Sequence, residues 1–157
     1  MNTRKLGIAI LASVILCAAF LGVACAPGQA AQPTAFDMQA TLDKYFSNLP
    51  DDWGAIAPAA LDEQLRSAKP FLVDVREAKE VADAGSIAGA TNLPIRALVK
   101  NLVKLPPDKG ATIIAECATG HRSAMAMMAL SLLGYKNVTS LAGGFNAWTK
   151  AGLPVSK

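Results

Sequence analysis

The chain has 157 residues, 52% of them apolar and 17% charged, with a formal net charge of +3. That length suits one domain of ordinary size, and so apolar a composition excludes a disordered chain. The small, scattered charge surplus argues against nucleic-acid binding, and three cysteines with one histidine supply neither a disulfide framework nor a usual four-ligand zinc site.

The composition is uneven along the chain. Leu6 to Ala26 reads LGIAILASVILCAAFLGVACA, 21 uncharged residues behind Arg4 and Lys5. A positive start followed by an apolar run is the pattern of an export signal, so residues 1–30 read as a leader and the protein as periplasmic or cell-envelope associated. Three fates stay open for it. Gly28-Gln29-Ala30 suits cleavage before Ala31, and Ala24-Cys25 resembles a lipidation site, although Gly22 stands where a branched apolar residue is usual. The run is also long enough to remain as a membrane anchor, which would be the chain's sole membrane contact. From Ala31 onward there are 13 basic and 12 acidic residues, and Cys117 is the one remaining thiol.

Residues 31–56 read as a linker and an amphipathic helix, and 57–157 as the folded domain. The tether APGQAAQPTA is small and uncharged, and Phe36, Met38, Leu42, Tyr45, Phe46 and Leu49 then recur with helical spacing up to Pro50. That apolar stripe is expected to cover the chain's own core, with a partner as the other occupant. Helical and strand-like runs then alternate. PAALDEQLRS is helical and PFLVDV a buried strand; REAKEVADAG is a short helix and ATNLP a strand. IRALVKNLVKL has helix period, ATIIAE is a strand, RSAMAMMALSLLGY a helix, NVTSLAG a strand and GFNAWTKAG a last helix. Such alternation predicts an α/β fold, a mostly parallel sheet with helices on both faces.

The chemistry concentrates in ATIIAE-CATGHR-SAMAMMALSLLGY, a strand, a six-residue loop and a helix. In a parallel sheet this puts the loop at the carboxyl end of a strand, where ligands bind. Cys117 opens the loop, and Gly120 supplies the conformation that a tight ring needs. The helix start near Arg122 directs its unpaired N–H groups inward, with Arg122 adding charge and Ser123 a hydroxyl. Each of these favours a thiolate at Cys117, and an anion bound to it. A tight ring splays its side chains outward, so His121 reads as a loop residue rather than a base. Met125, Met127 and Met128 read as packing.

Four segments in order resemble the single-domain rhodanese-like sulfurtransferases. They are Phe71-Leu-Val-Asp-Val-Arg-Glu77, Gly85-Ser-Ile-Ala-Gly-Ala90 with Asn92-Leu-Pro94, Cys117-Ala-Thr-Gly-His-Arg-Ser123, and Leu141-Ala-Gly-Gly-Phe-Asn-Ala-Trp148 with Ala151-Gly-Leu-Pro-Val155. The resemblance implies a three-layer α/β/α fold and a ping-pong sulfur transfer without metal or cofactor. Cys117 would be the nucleophile, with Ala118, Thr119, Gly120, His121, Arg122 and Ser123 holding the substrate. The donor would be thiosulfate or a persulfide, and the acceptor a thiol, cyanide or a protein.

Related cysteine phosphatases and arsenate reductases commonly have five residues between the cysteine and the arginine. Here Ala118, Thr119, Gly120 and His121 are the only ones, and the tighter ring favours a single sulfur over a tetrahedral oxyanion. A catalytically silent binding module is the other alternative. Two residues depart from the family pattern: Ser86 stands where a histidine is usual, a matter of packing, and Glu116 where an apolar or aromatic residue is common. A carboxylate beside the thiolate would raise its pKa, but strand alternation sends the two side chains to opposite faces. Asp74 and Arg76 read as a structural ion pair or turn-fixing residues.

Overall fold

In the computed structural model, residues 36–51 and 53–157 are described; the expected leader, 1–30, and the tether up to residue 35 lie outside the described residues. Asp37 caps the first helix by accepting the Ala40 N–H at 3.0 Å, and α1 runs Met38–Ser47. Then follow β1 (Ala55–Ile56), α2 (Pro58–Ser67), β2 (Phe71–Asp74), α3 (Ala78–Ala84) and β3 (Thr91–Asn92). Two 3-10 segments, Ile95–Ala97 and Val99–Lys104, lead to β4 (Thr112–Glu116), α4 (His121–Leu132), β5 (Asn137–Leu141) and α5 (Gly144–Lys150).

The five strands pair in the order β1-β5-β4-β2-β3, every pairing parallel. β4 is central, and its alternation sorts the core into two layers. Ile113, Ala115 and Cys117 pack with Val73, Val75, Leu98 and, from α4, Ala126 and Leu130. Ile114 packs on the other side with Leu72, Leu61 of α2, and Phe145 and Trp148 of α5. Burying each of these large apolar side chains contributes about 1.5–3 kcal/mol, and this fixes the register of a strand with two buried faces. Helices on both faces of a parallel sheet are what the alternating pattern predicts.

Three elements depart from expectation. β1 has only two residues, too short to leave a periodic signal, and exists through its pairing with Ser140 and Leu141. The IRALVKNLVKL run is not an α-helix: Asn101 leaves helical dihedrals (φ −128°, ψ 34°) and its side-chain amide donates to Ala97 O at 2.8 Å. Leu98 and Leu105 are nonetheless buried, so the helix-like spacing serves the core through i→i+3 turns. The stripe of α1 buries little: none of its residues is buried, and Phe36, Met38 and Phe46 are exposed. Of the methionines, Met127 is buried but Met125 is 61% exposed, so the packing expectation fails there.

Candidate active site

Cys117 follows the last residue of β4, and its side chain is buried. The loop after it turns back so that the Gly120 N–H points at Cys117 Sγ from 3.2 Å. Gly120 has φ +100°, a left-handed value that a residue with a Cβ adopts at a cost, and α4 begins at the next residue. Ser123, also buried, brings its hydroxyl to 3.6 Å from the sulfur. The same hydroxyl lies 2.9 Å from Gly120 O and 2.8 Å from the Ser140 hydroxyl of β5. Ser123 donates its one proton to Gly120 O here, and that proton can turn to the sulfur once Cys117 is ionised.

A second helix start holds the loop from outside. The Phe145 N–H donates to Cys117 O at 2.7 Å and the Asn146 N–H to Ala118 O at 3.0 Å. Gly144 makes this approach feasible: a Cβ there would collide with Cys117 O, Ala118 C and Thr119 N, and φ is +59°. With its carbonyls drawn outward to α5, the loop presents N–H groups inward. Burial pushes the Cys117 thiol up. The Ser123 hydroxyl, then the backbone N–H groups of Ser123, Thr119 and Gly120, outweigh it, and the net shift is downward.

Arg122 is at the site but not free. Its two terminal nitrogens meet both oxygens of Glu80 on α3 at 2.6 and 2.7 Å. This bidentate bond brings Glu80 down to about 2 and raises Arg122, which the Cys117 charge raises further. Much of the positive charge expected beside the sulfur is therefore matched by Glu80. The Ser123 hydroxyl and the backbone N–H groups lower the thiol, while Arg122 stays coupled to Cys117 beside its pair with Glu80. His121 is exposed, with Nδ1 3.0 Å from the Thr119 hydroxyl, and Thr119 is exposed as well. Neither side chain faces the sulfur through a hydrogen bond, while Ala118 serves through its backbone. A groove of about 680 Å³, lined by Tyr45, Trp53, Tyr135 and Lys136 among others, opens at the opposite end of the sheet and excludes the loop.

Glu80, Ser140 and Gly144 escaped the sequence reading. Glu80 sits three residues after Glu77 and accepts the Glu77 N–H at 2.9 Å, a helix-start spacing that accounts for only half its role. The Gly143-Gly144 pair was a signal for close backbone approach.

One residue before Cys117, on the other face of β4, lies a charged cluster. Asp74 and Glu116 are register partners on β2 and β4, both fully buried. Arg76 binds Asp74 through its backbone N–H (2.9 Å) and its Nε (3.0 Å to each oxygen), donates to Gly85 O at 2.8 Å, and stacks 4.0 Å over the Phe145 ring. This confirms a structural ion pair. Among the described residues Glu116 has no hydrogen-bond donor on either oxygen, and Arg76 Nη2 stays 3.6 Å from it. Burial, then the neighbouring Asp74 carboxyl, push Glu116 up to about 9.

Comparison with known proteins identifies the family to which this fold belongs. Residues 57–151 match the family described as the rhodanese-like domain. An uncharacterized protein of Synechocystis is 36% identical over 102 residues, which are 65% of this chain and 55% of that protein. A protein of Allochromatium vinosum named sulfurtransferase is 37% identical over 85 residues, 54% of this chain and 77% of that one. The crystal structure of a rhodanese-related protein from Thermoplasma volcanium superposes with a TM-score of 0.59 at 36% identity, covering 66% of this chain and 98% of that one. The chain thus spans about half of the first relative and three quarters of the second.

Proposed function

The chain belongs to the rhodanese-like domain family, and from that premise we propose that it moves sulfane sulfur through a persulfide on Cys117. The family and its sulfurtransferase-named relatives support a sulfurtransferase-type role, and we propose thiosulfate or a persulfide as donor and a thiol, cyanide or a protein as acceptor. One observation carries it: the Gly120 N–H points at Cys117 Sγ from 3.2 Å, in a ring closed after four residues. Donors so placed stabilise a thiolate, and equally the terminal sulfur of a persulfide anion.

The Cys117 thiolate attacks the outer sulfur of thiosulfate. The new bond is Cys117 Sγ–S, the bond broken is the donor's own S–S bond, and sulfite leaves with its electron pair. A thiolate or cyanide then attacks the terminal sulfur, takes it as a persulfide or thiocyanate, and returns the Cys117 thiolate. No electron is lost to an outside oxidant in either half. The inward N–H groups hold the negative charge in each state, and the Arg122–Glu80 pair fixes the first turn of α4 from which the Ser123 hydroxyl projects.

Intact-mass measurement after incubation with thiosulfate or glutathione persulfide is expected to show one added sulfur, absent from Cys117→Ser. p-Nitrophenyl phosphate is expected to stay unhydrolysed, because the ring is one residue short of the phosphatase spacing. If no donor leaves sulfur on the wild-type protein, the reading fails and a silent binding module takes its place. An exported location is proposed on Arg4, Lys5 and the uncharged run behind them; recovery of the full chain in the cytoplasmic fraction would overturn it.

A further inference from the structure

Glu116 is a chemical anomaly that sulfur transfer does not use. Both carboxyl oxygens are buried without a donor, and its cross-strand partner is another carboxyl, Asp74. The groups that face it can be named by element. Asp74 and Arg76 come from β2 and the turn after it, while Cys117, on the other face of β4, acts on it only through its charge. α5 supplies the uncharged Phe145 ring over Arg76, and α2 supplies Leu61 and Leu65 to the same layer. Arg76 is the single positive charge in this set, and its bonds are committed to Asp74 and Gly85 O. Two ionised carboxyls and one guanidinium would leave a buried negative charge one residue from a sulfur that must itself carry negative charge. A proton kept on Glu116 removes both difficulties: it gives Glu116 a bond to make toward Asp74 and brings the cluster to neutrality.

We propose that Glu116 keeps its proton in the folded chain, directed at the facing Asp74, with Arg76 balancing the Asp74 charge, and that this makes Glu116 a positioning residue for charge at Cys117. While the proton is in place the loop's donors serve the sulfur and its anionic substrate alone. When it leaves, an uncompensated charge behind β4 opposes any further anion at the sulfur. The inference rests on reading Cys117 as an anion-holding nucleophile. The elevated proton affinity that burial and Asp74 give Glu116 sets the break near pH 9.

Two alkylating agents of equal reach and different charge test it without sulfur transfer. Rates of modification of Cys117 by iodoacetate and by iodoacetamide are measured on the full chain against pH, read on the Cys117 peptide by mass spectrometry. The iodoacetate/iodoacetamide rate ratio is expected to fall about threefold to tenfold above about pH 9 in the wild type. It should stay level in Glu116→Gln and in Glu116→Met, which cannot ionise. The same fall in these variants, or no fall in the wild type, overturns the proposal. Difference infrared spectroscopy of the wild type adds a readout independent of any variant: a protonated buried carboxyl should be seen near neutral pH, and its absence overturns the proposal. Thiosulfate loading without a break in the ratio removes this inference alone. A break without loading by any donor removes the sulfur-transfer reading alone.

Discussion

Cys117 and Glu116 are chain neighbours, both buried, on opposite faces of β4, and burial pushes each toward its neutral form. They end in opposite states. Cys117 lies where a loop has turned its N–H groups inward and a serine hydroxyl is at hand, and its thiol is lowered. Glu116 lies where the one cation is already bonded and the facing strand offers another acid, and its carboxyl is raised to about 9. Desolvation is common to both, so the sign of each shift is decided by the donors that the surrounding elements deliver. A buried acid is made strong or weak by geometry a few ångströms away.

The contrast can be broken most severely at Gly144. Gly144→Ala forces a Cβ into the backbone of Cys117, Ala118 and Thr119 at φ +59°. We expect a stability loss of about 3 kcal/mol or more in chemical denaturation and a fall of at least about 100-fold in sulfur loading. The other pole is sharpened by Glu116→Gln. Glu116 rises from 4.5 to about 9 on folding, so the folded chain keeps a proton that the unfolded chain releases between those values. Stability must therefore fall as pH rises through that window. Urea titrations at its two ends should show the fall, on the order of a few kcal/mol, in the wild type and not in the variant.

Smaller effects separate the donors at Cys117. Ser123→Ala removes the hydroxyl but leaves the Gly120 N–H, and the midpoint of thiolate formation, followed by alkylation rate, should rise by about one pH unit. Glu80→Gln frees Arg122 while leaving both faces of β4 intact. Glu80 drops from 4.5 to about 2 on folding, so the stability it contributes is present above the upper value and lost as pH falls toward the lower. Since the pair is partly exposed, the loss at neutral pH should be no more than about 0.5–1 kcal/mol by thermal or urea unfolding.

Much of this arrangement was legible in the sequence. Pro58 to Ser67 forms the helix that its spacing predicts, and CATGHR occupies the strand-to-helix loop where parallel sheets bind ligands. These readings rest on local signals: apolar period, a proline at a helix start, a glycine where φ must be positive. The Arg122–Glu80 bond was not legible, because its partners lie 42 positions apart and nothing local couples them. Nor was the path of α1, whose apolar spacing is genuine but whose exposed Met38 and Phe46 depend on where the helix meets the sheet.

The sequence by itself determined the order of β2 to β5 and of the five α-helices, the place of Cys117 at the head of a tight loop, and the opposite faces of Cys117 and Glu116. All follow from dihedral preferences and a period of two, which act over a few residues. The tertiary structure alone decided which charges are cancelled. Arg122 meets Glu80, Arg76 meets Asp74, and Glu116 meets no donor, because electrostatic and hydrogen-bond energies depend on distances that only the packed sheet sets.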